Sequence, residues 1–196
     1  MSAGRDFGEL LRTSAAHHRD RVAMTCGDTH QTYGELFLRS CRLARTLADL
    51  GVEPGDRVAL LGPNSRWTVE QATGVALGGF VRAALYAHQT AEVNAYLTEL
   101  VDAKVLIVAA GAAEALLARR PEMPSLHHVV VYDGPAPEGA LDYEHLLATA
   151  SAEDPGVRTA PTDLHVIRFS AGTTGRPKAS RTPSRAGCAA TTSTAG

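Results

Sequence analysis

The residues best suited to chemistry stand together near the end of the chain, in the run Ser170-Ala-Gly-Thr-Thr-Gly-Arg-Pro-Lys178. Gly172 and Gly175 allow positive φ and close backbone approach, so that successive amide N–H groups can converge on an anion. Ser170, Thr173 and Thr174 add hydroxyl donors, Pro177 stiffens the exit, and Lys178 supplies a cation for phosphate oxygens. The spacing is not that of a Walker loop: five residues on from Gly172 stands Pro177, and five on from Gly175 stands Ser180, so no Gly-Lys pair falls in place. A dinucleotide-type GxGxxG is absent as well. From residue types alone, the segment reads either as a phosphate-binding loop or as a surface turn of the kind Gly, Thr and Pro favour.

Other chemistry-bearing residues form no comparable set. His17-His18 and His127-His128 are sequence neighbours whose side chains diverge on a helix or strand, and no carboxylate or cysteine recurs at ligand spacing, so they read as surface or strand-end histidines. His88 precedes Thr90 in a polar loop, and Trp67 falls in the first turn of a helix, where packing explains it. Arg119-Arg120 closes a helix and answers its dipole. Asp28, Asp56 and Asp163 sit in turns without inferable partners. Cys26, Cys41 and Cys188 are odd in number and scattered, which argues against a disulfide pair or a zinc knuckle. No catalytic residue and no metal ligand is assigned.

The elements that must carry the loop alternate between short β-branched runs and helical patterns, which predicts an α/β fold: a mostly parallel sheet with flanking helices. Thr32 and Glu35 stand in capping-box spacing before a helix with Leu36, Leu43, Leu47 and Leu50 on one stripe, ended by Gly51. Arg57–Gly62 reads as a buried strand, and Asn64 or Ser65 caps a helix running to about Gly78. Phe80–Tyr86 is the next strand, Thr90 caps a helix through Asp102, Lys104–Val108 is a strand and Gly111–Arg119 a helix. His128–Tyr132 is a strand, Tyr143–Ala150 a short helix, and Leu164–Phe169 the strand that runs into the loop.

Composition fits this reading. The chain has 196 residues, 44% hydrophobic and 20% charged, with a net charge of -2, as expected of one soluble globular domain without a polyanion-binding surface. Nucleic acid is therefore not an expected partner. The longest apolar run, Val105–Ala110, is far short of a membrane span, and the N-terminus has no secretory pattern, so a cytoplasmic location is expected.

The loop resembles the phosphate-loop signature of the adenylate-forming superfamily, which includes acyl-CoA synthetases, adenylation domains and luciferases and usually reads Thr-Ser-Gly-Thr-Thr-Gly-x-Pro-Lys-Gly. Gln31-Thr-Tyr-Gly-Glu-Leu36 is similar to the family's early Thr-Tyr-x-Glu-Leu element, and Gly55–Ser65 to its next strand and turn. Leu77–Val81 and Thr90–Tyr96 follow in the family's order. The resemblance implies an AMP-forming acid–CoA ligase that uses ATP, Mg²⁺ and coenzyme A to activate a carboxylic acid. Ser170, Gly172, Thr173, Thr174, Gly175 and Lys178 would then hold nucleotide phosphates. Ala171 departs from the usual serine, Ala84 and Ala87 replace common prolines, and Ala179 replaces the expected glycine.

Beyond Lys178 the composition breaks: Ala179–Gly196 contains no Val, Ile, Leu, Met, Phe, Tyr or Trp. Residues 1–178 are accordingly expected to be the N-terminal portion of the ligase domain. Residues 179–196 are expected to be a non-family, disordered tail, either a flexible extension or translation in a wrong frame. The family's acyl and adenine pockets, metal-holding acids and small C-terminal domain have no counterpart here, so the chain alone is expected to be inactive. The competing expectation is a non-catalytic nucleotide- or partner-binding module that keeps the sheet and loop as a scaffold.

Overall fold

A computed structural model of the chain describes residues 7–160, 162–170 and 178–183. Helix α1 (Phe7–His17) leads into a two-stranded hairpin, β1 (Val22–Cys26) and β2 (Thr29–Thr32). Its two-residue turn is possible because Gly27 takes φ +57°, as tight hairpin turns require. Helix α2 (Tyr33–Asp49) follows at once, with Thr32 and Glu35 forming the expected capping box and Gly51 at φ +83° just past its end. Then come β3 (Arg57–Leu61), α3 (Arg66–Leu77), β4 (Val81–Ala84), α4 (Ala91–Leu100), β5 (Ala103–Ala109), α5 (Ala110–Leu117), β6 (His128–Tyr132), β7 (Leu141–Asp142), α6 (Tyr143–Thr149), β8 (Leu164–Ser170) and β9 (Lys178–Pro183).

The main sheet has the order β7-β6-β5-β3-β4-β8-β9 and is parallel except for the β8–β9 pair at one edge. This is the expected mostly parallel α/β sheet. Because strand side chains alternate, both faces must be apolar if helices cover both. Along β3, Val58 and Leu60 join Leu43 and Leu47 of α2, Val75 of α3 and Tyr143 of α6 on one face. Ala59 and Leu61 join Ala95 and Leu97 of α4 and Leu116 of α5 on the other.

Three elements were not foreseen: α1, the β1–β2 hairpin and β7. A fourth difference is a correction. The expectation that the chain leaves the fold after Lys178 does not hold over Ala179–Pro183, which pair antiparallel with β8 from Phe169↔Ala179 to Leu164↔Pro183. A ladder is made by backbone groups, so this strand needs no large apolar side chain. Residues 184–196, the rest of the expected tail, lie outside the described residues.

Polar clamps hold the layers in register. Arg39 of α2 pairs with Glu70 of α3, which is only 3% exposed, and donates to Glu144 of α6 at 2.9 Å. Tyr143 Oη donates to Glu70 Oε1 at 2.6 Å. Burial, then the Glu70 charge, pushes this phenol well above its ordinary range. Arg12 of α1 donates to both carboxylate oxygens of Asp154 at 2.7 and 2.9 Å and to the Val157 carbonyl at 3.0 Å, which fixes the long connection between α6 and β8. Hydrogen bonding from Arg12, more than burial opposes it, lowers the Asp154 carboxyl below its ordinary value.

Two predictions follow from this packing. A Cβ at Gly74 would fall 2.7–2.9 Å from Leu43 side-chain atoms, so Gly74→Ala is expected to force α2 and α3 apart. The overpacking cost of about 1–3 kcal/mol should exceed the helix-propensity gain of about 1 kcal/mol, and urea unfolding measures the net loss. For Arg12, the depressed folded-state value of Asp154 means the ion pair stabilises the fold above the unfolded carboxylate value of 3.8 and is lost as pH falls through the lower folded value. The stability difference between the native chain and Arg12→Gln should therefore be full near about pH 6 and shrink as pH drops below about 4, followed by urea midpoints across that range.

Candidate phosphate-loop hairpin

Strand β8 enters the sheet beside β4, with Arg82↔Val166 and Ala83↔Ile167 as parallel partners. Its other side pairs with β9, and the last rung joins Ser170 to Lys178. This rung lies at the end where the parallel strands terminate, and residues 171–177 stand between its two members in the sequence. Of the expected phosphate-binding residues, Ser170 and Lys178 are brought together by their backbones at this rung. Gly172, Thr173, Thr174 and Gly175 lie outside the described residues.

The base of the hairpin is braced from the neighbouring turn. Tyr86, just beyond β4, donates its hydroxyl to the Phe169 carbonyl, and its ring meets Phe169 edge-on at 6.4 Å. Asn94 Nδ2 in turn donates to the Tyr86 carbonyl at 3.1 Å, and the Thr90 hydroxyl caps α4 by accepting from Val93 N at 3.3 Å. Phe169 itself is 7% exposed and belongs to the apolar layer beneath α4 and α5. Tyr86 and Asn94 are positioning residues that the sequence reading passed over. The capping threonine was the visible signal of this turn; a phenol aimed at a carbonyl from 83 positions away leaves no local pattern.

The remaining singled-out residues are placed elsewhere. Asp56 lies at the opposite end of the strands, with Lys104 Nζ 2.6 Å away. Burial would raise its carboxyl, but hydrogen bonding and charge from Lys104, with smaller help from the Glu53 amide and Arg57, bring it below its ordinary value. Asp163 Oδ2 accepts from Ala160 N at 2.7 Å and closes a turn. Trp67 packs on Tyr132 at 5.4 Å, lies under the Arg66 guanidinium at 4.3 Å and donates to Glu144 at 3.0 Å. Arg119 pairs with Glu122 at 2.8 Å and approaches Glu92 at 3.9 Å, while Arg120 donates to the His127 carbonyl at 2.7 Å. His17, His18, His88 and His127 are exposed. Cys41 is fully buried, which pushes its thiol up to about 12, whereas Cys26 is exposed.

The donor set fits a polyphosphate. From Ser170 to Lys178 the sequence supplies hydroxyls, glycine amides and two cations, Arg176 and Lys178, with no carboxylate to repel an anion. The loop therefore brings no carboxylate of its own to a divalent cation. What its residue types suit is the holding of phosphate oxygens. No helix among the described residues is long and apolar enough to cross a membrane.

Comparison with known proteins agrees with this arrangement. The profile of the AMP-binding enzyme family matches residues 11–194. The chain is 35% identical to the 2,3-dihydroxybenzoate-AMP ligase of Bacillus subtilis over 182 residues, 90% of this chain and 33% of that one. It is 34% identical over 176 residues to a medium/long-chain-fatty-acid–CoA ligase of Mycobacterium tuberculosis, covering 89% of this chain and 28% of that protein. The chain thus spans about a third of the length of the curated relatives it matches. Among solved structures, the anthranilate CoA ligase AuaEII, in complex with anthranoyl-AMP, shares the fold with a TM-score of 0.89 at 21% identity, over 94% of this chain and 36% of that one. The apo structure of MbtA from Mycobacterium smegmatis gives 0.85 at 28% identity, over 94% of this chain and 35% of that one. On its matched sequence and its shared fold, the chain belongs to the AMP-binding enzyme family of adenylate-forming acid ligases and carries the N-terminal part of their fold.

Proposed function

We propose that this chain supplies the phosphate-gripping hairpin of an ATP-dependent carboxylic acid ligase. The observation that carries the reading is the rung between Ser170 and Lys178. It holds both ends of a glycine- and threonine-rich loop at one point on the sheet, so that hydroxyls, amides and the lysine charge can close on one polyphosphate. The β- and γ-phosphates would lie in this loop, with Thr173, Thr174 and the amides of Gly172 and Gly175 donating to their oxygens and Lys178 countering their charge. Ser170 assists from the first strand end. Held in this way, the pyrophosphate leaves in line: a carboxylate oxygen bonds to the α-phosphorus while the bond to the bridging oxygen of the β-phosphate breaks. Mg²⁺ would spread the charge on the departing group, bound by acids outside this loop. The activated acyl group then passes to a thiol, for which coenzyme A is the acceptor we propose.

The names of the relatives cover both aryl and fatty acids, so the proposal commits to a carboxylic acid and to adenylation rather than to one acid. Because the chain spans about a third of those relatives, the test joins it to the missing part. The 196-residue chain alone is expected to give no acid-dependent exchange between ATP and pyrophosphate. Fusion to the remaining part of a fatty-acid–CoA ligase should restore exchange. Lys178→Ala and Thr174→Ala in that fusion should each lower the exchange by roughly 10²-fold, the loss typical of a preorganised donor to developing charge. Exchange unaffected by both substitutions, or ATP turnover without any carboxylic acid, would overturn the assignment.

A further inference from the structure

The sheet changes direction at β3. The chain leaving β3 crosses the face that holds α2, α3 and α6, whereas the chain leaving β4 crosses the face that holds α4 and α5. Diverging connections leave a crevice outside the carboxyl ends of the two adjacent strands, and open α/β sheets take their ligands at such switch points. Here the crevice contains a cavity of about 110 Å³, bounded by Leu60 and Gly62 at the end of β3, Ala84 and Leu85 at the end of β4, Gln71 of α3 and Arg82 of β4.

Two of these side chains carry a buried donor atom without an acceptor among the described residues. Gln71 is 2% exposed, and its Nε2 has no hydrogen-bond partner among the described residues. The buried Nε of Arg82 has none either. Native structures rarely leave buried donors unmet, and two in one cavity call for one acceptor between them. Burial, and then the positive charge of Arg168, lower the proton affinity of Arg82, although a guanidinium remains charged throughout. Arg168 lies on β8, two residues beyond Val166, the ladder partner of Arg82. The local need is therefore for negative charge as well as for lone pairs. Outside the described residues the sequence contains one carboxylate side chain, that of Asp6.

We propose that this crevice is an oxyanion-binding site in which Arg82 Nε and Gln71 Nε2 donate to one small carboxylate or phosphate group, with Arg168 adding positive potential from the neighbouring strand. None of the described residues that line it belongs to the Ser170–Lys178 segment, and the proposal does not depend on what that segment holds. Its occupant is limited by volume to a group of a few heavy atoms: a free small anion, or the anionic end of a longer molecule that enters the crevice end-on.

The test is a titration of the ¹⁵N-labelled 196-residue chain with sodium formate and, separately, inorganic phosphate, each against sodium chloride at equal ionic strength. The Arg82 Nε–H and Gln71 side-chain amide resonances report directly on the two donors, and they are assigned by their loss in Arg82→Gln and Gln71→Leu. Saturable shifts of both resonances with either probe support the site, and the probe that saturates first identifies the occupant as a carboxylate or a phosphate. Arg82→Gln should weaken the apparent affinity roughly tenfold or more, the effect of losing a hydrogen bond to a charged group. Gln71→Leu should weaken it less, and this variant with the native titration decides the matter if Arg82→Gln does not fold. Shifts no larger than those given by chloride overturn the proposal. So do shifts that appear only in Asp6→Asn, because the acceptor would then be the chain's own carboxylate.

Discussion

Parallel pairing on both sides of β3 is the constraint from which the sheet, the helix layers and the candidate sites follow. Parallel neighbours cannot be joined by a tight turn, so each connection must cross a face of the sheet, and right-handed crossovers leave little choice of face. With β4 on one side and β5 on the other, α3 is sent to one face and α4 to the other. Both faces of β3 must then be apolar, and Val58, Ala59 and Leu61 are at most 3% exposed. Polar heads are kept out of the apolar layers and reach instead toward the carboxyl rim, as the Arg82 side chain does from within β4. There the chain can still present Arg82, Arg168 and the ends of the β8–β9 hairpin.

That hairpin solves a problem of order. A loop rich in glycine loses more conformational freedom on becoming fixed than other segments do, and converging several amides on one anion requires it to be fixed. Anchoring both ends at the Ser170–Lys178 rung moves part of that ordering into the fold itself. Strand β9 also gives β8 a partner on its outer side. The new edge carries Lys178 and Arg181 and ends in Pro183, and charge and proline are the devices that keep an edge from pairing with other chains. Tyr86 adds a third restraint from the β4 side, so the base of the loop is held from two directions.

Helix α2 was legible because two independent signals coincide, the Thr32–Glu35 cap and the leucine stripe. The buried strands were legible because their apolar runs are bounded by turn residues. Helix α1 was missed although Leu11 and Ala15 recur at helical spacing, since only these and Gly8 are buried in it and charges interrupt the pattern. The turn Gly27-Asp28 is itself a readable hairpin signal. Strand β9 was illegible in a stronger sense: its pairing lies in backbone groups, and its side chains carry no periodicity. The loop chemistry could be seen in residue types alone, whereas the crevice could not. An unmet donor is a relation between burial and neighbours, and nothing in the spacing of Gln71 and Arg82 announces it.

Charge placement links these parts. A rim that gathers anions works only if nearby carboxylates do not cancel its potential, and the described carboxylates that pack into the fold are engaged elsewhere. Glu70 is held by Arg39 and Tyr143, Asp154 by Arg12, and Asp56 by Lys104 at the amino ends of the strands. One partner of each pair is largely buried, so the pairs fasten the layers as well as shaping the charge pattern. They also act on the field: each neutralises an acid inside the layers, and among the described residues no carboxylate forms an ion pair with Arg82 or Arg168. In a fold whose net charge is -2, attraction for an anion cannot come from the molecule as a whole. It has to be built locally, by pairing the acids away from the end of the sheet where the chain places its unpaired donors.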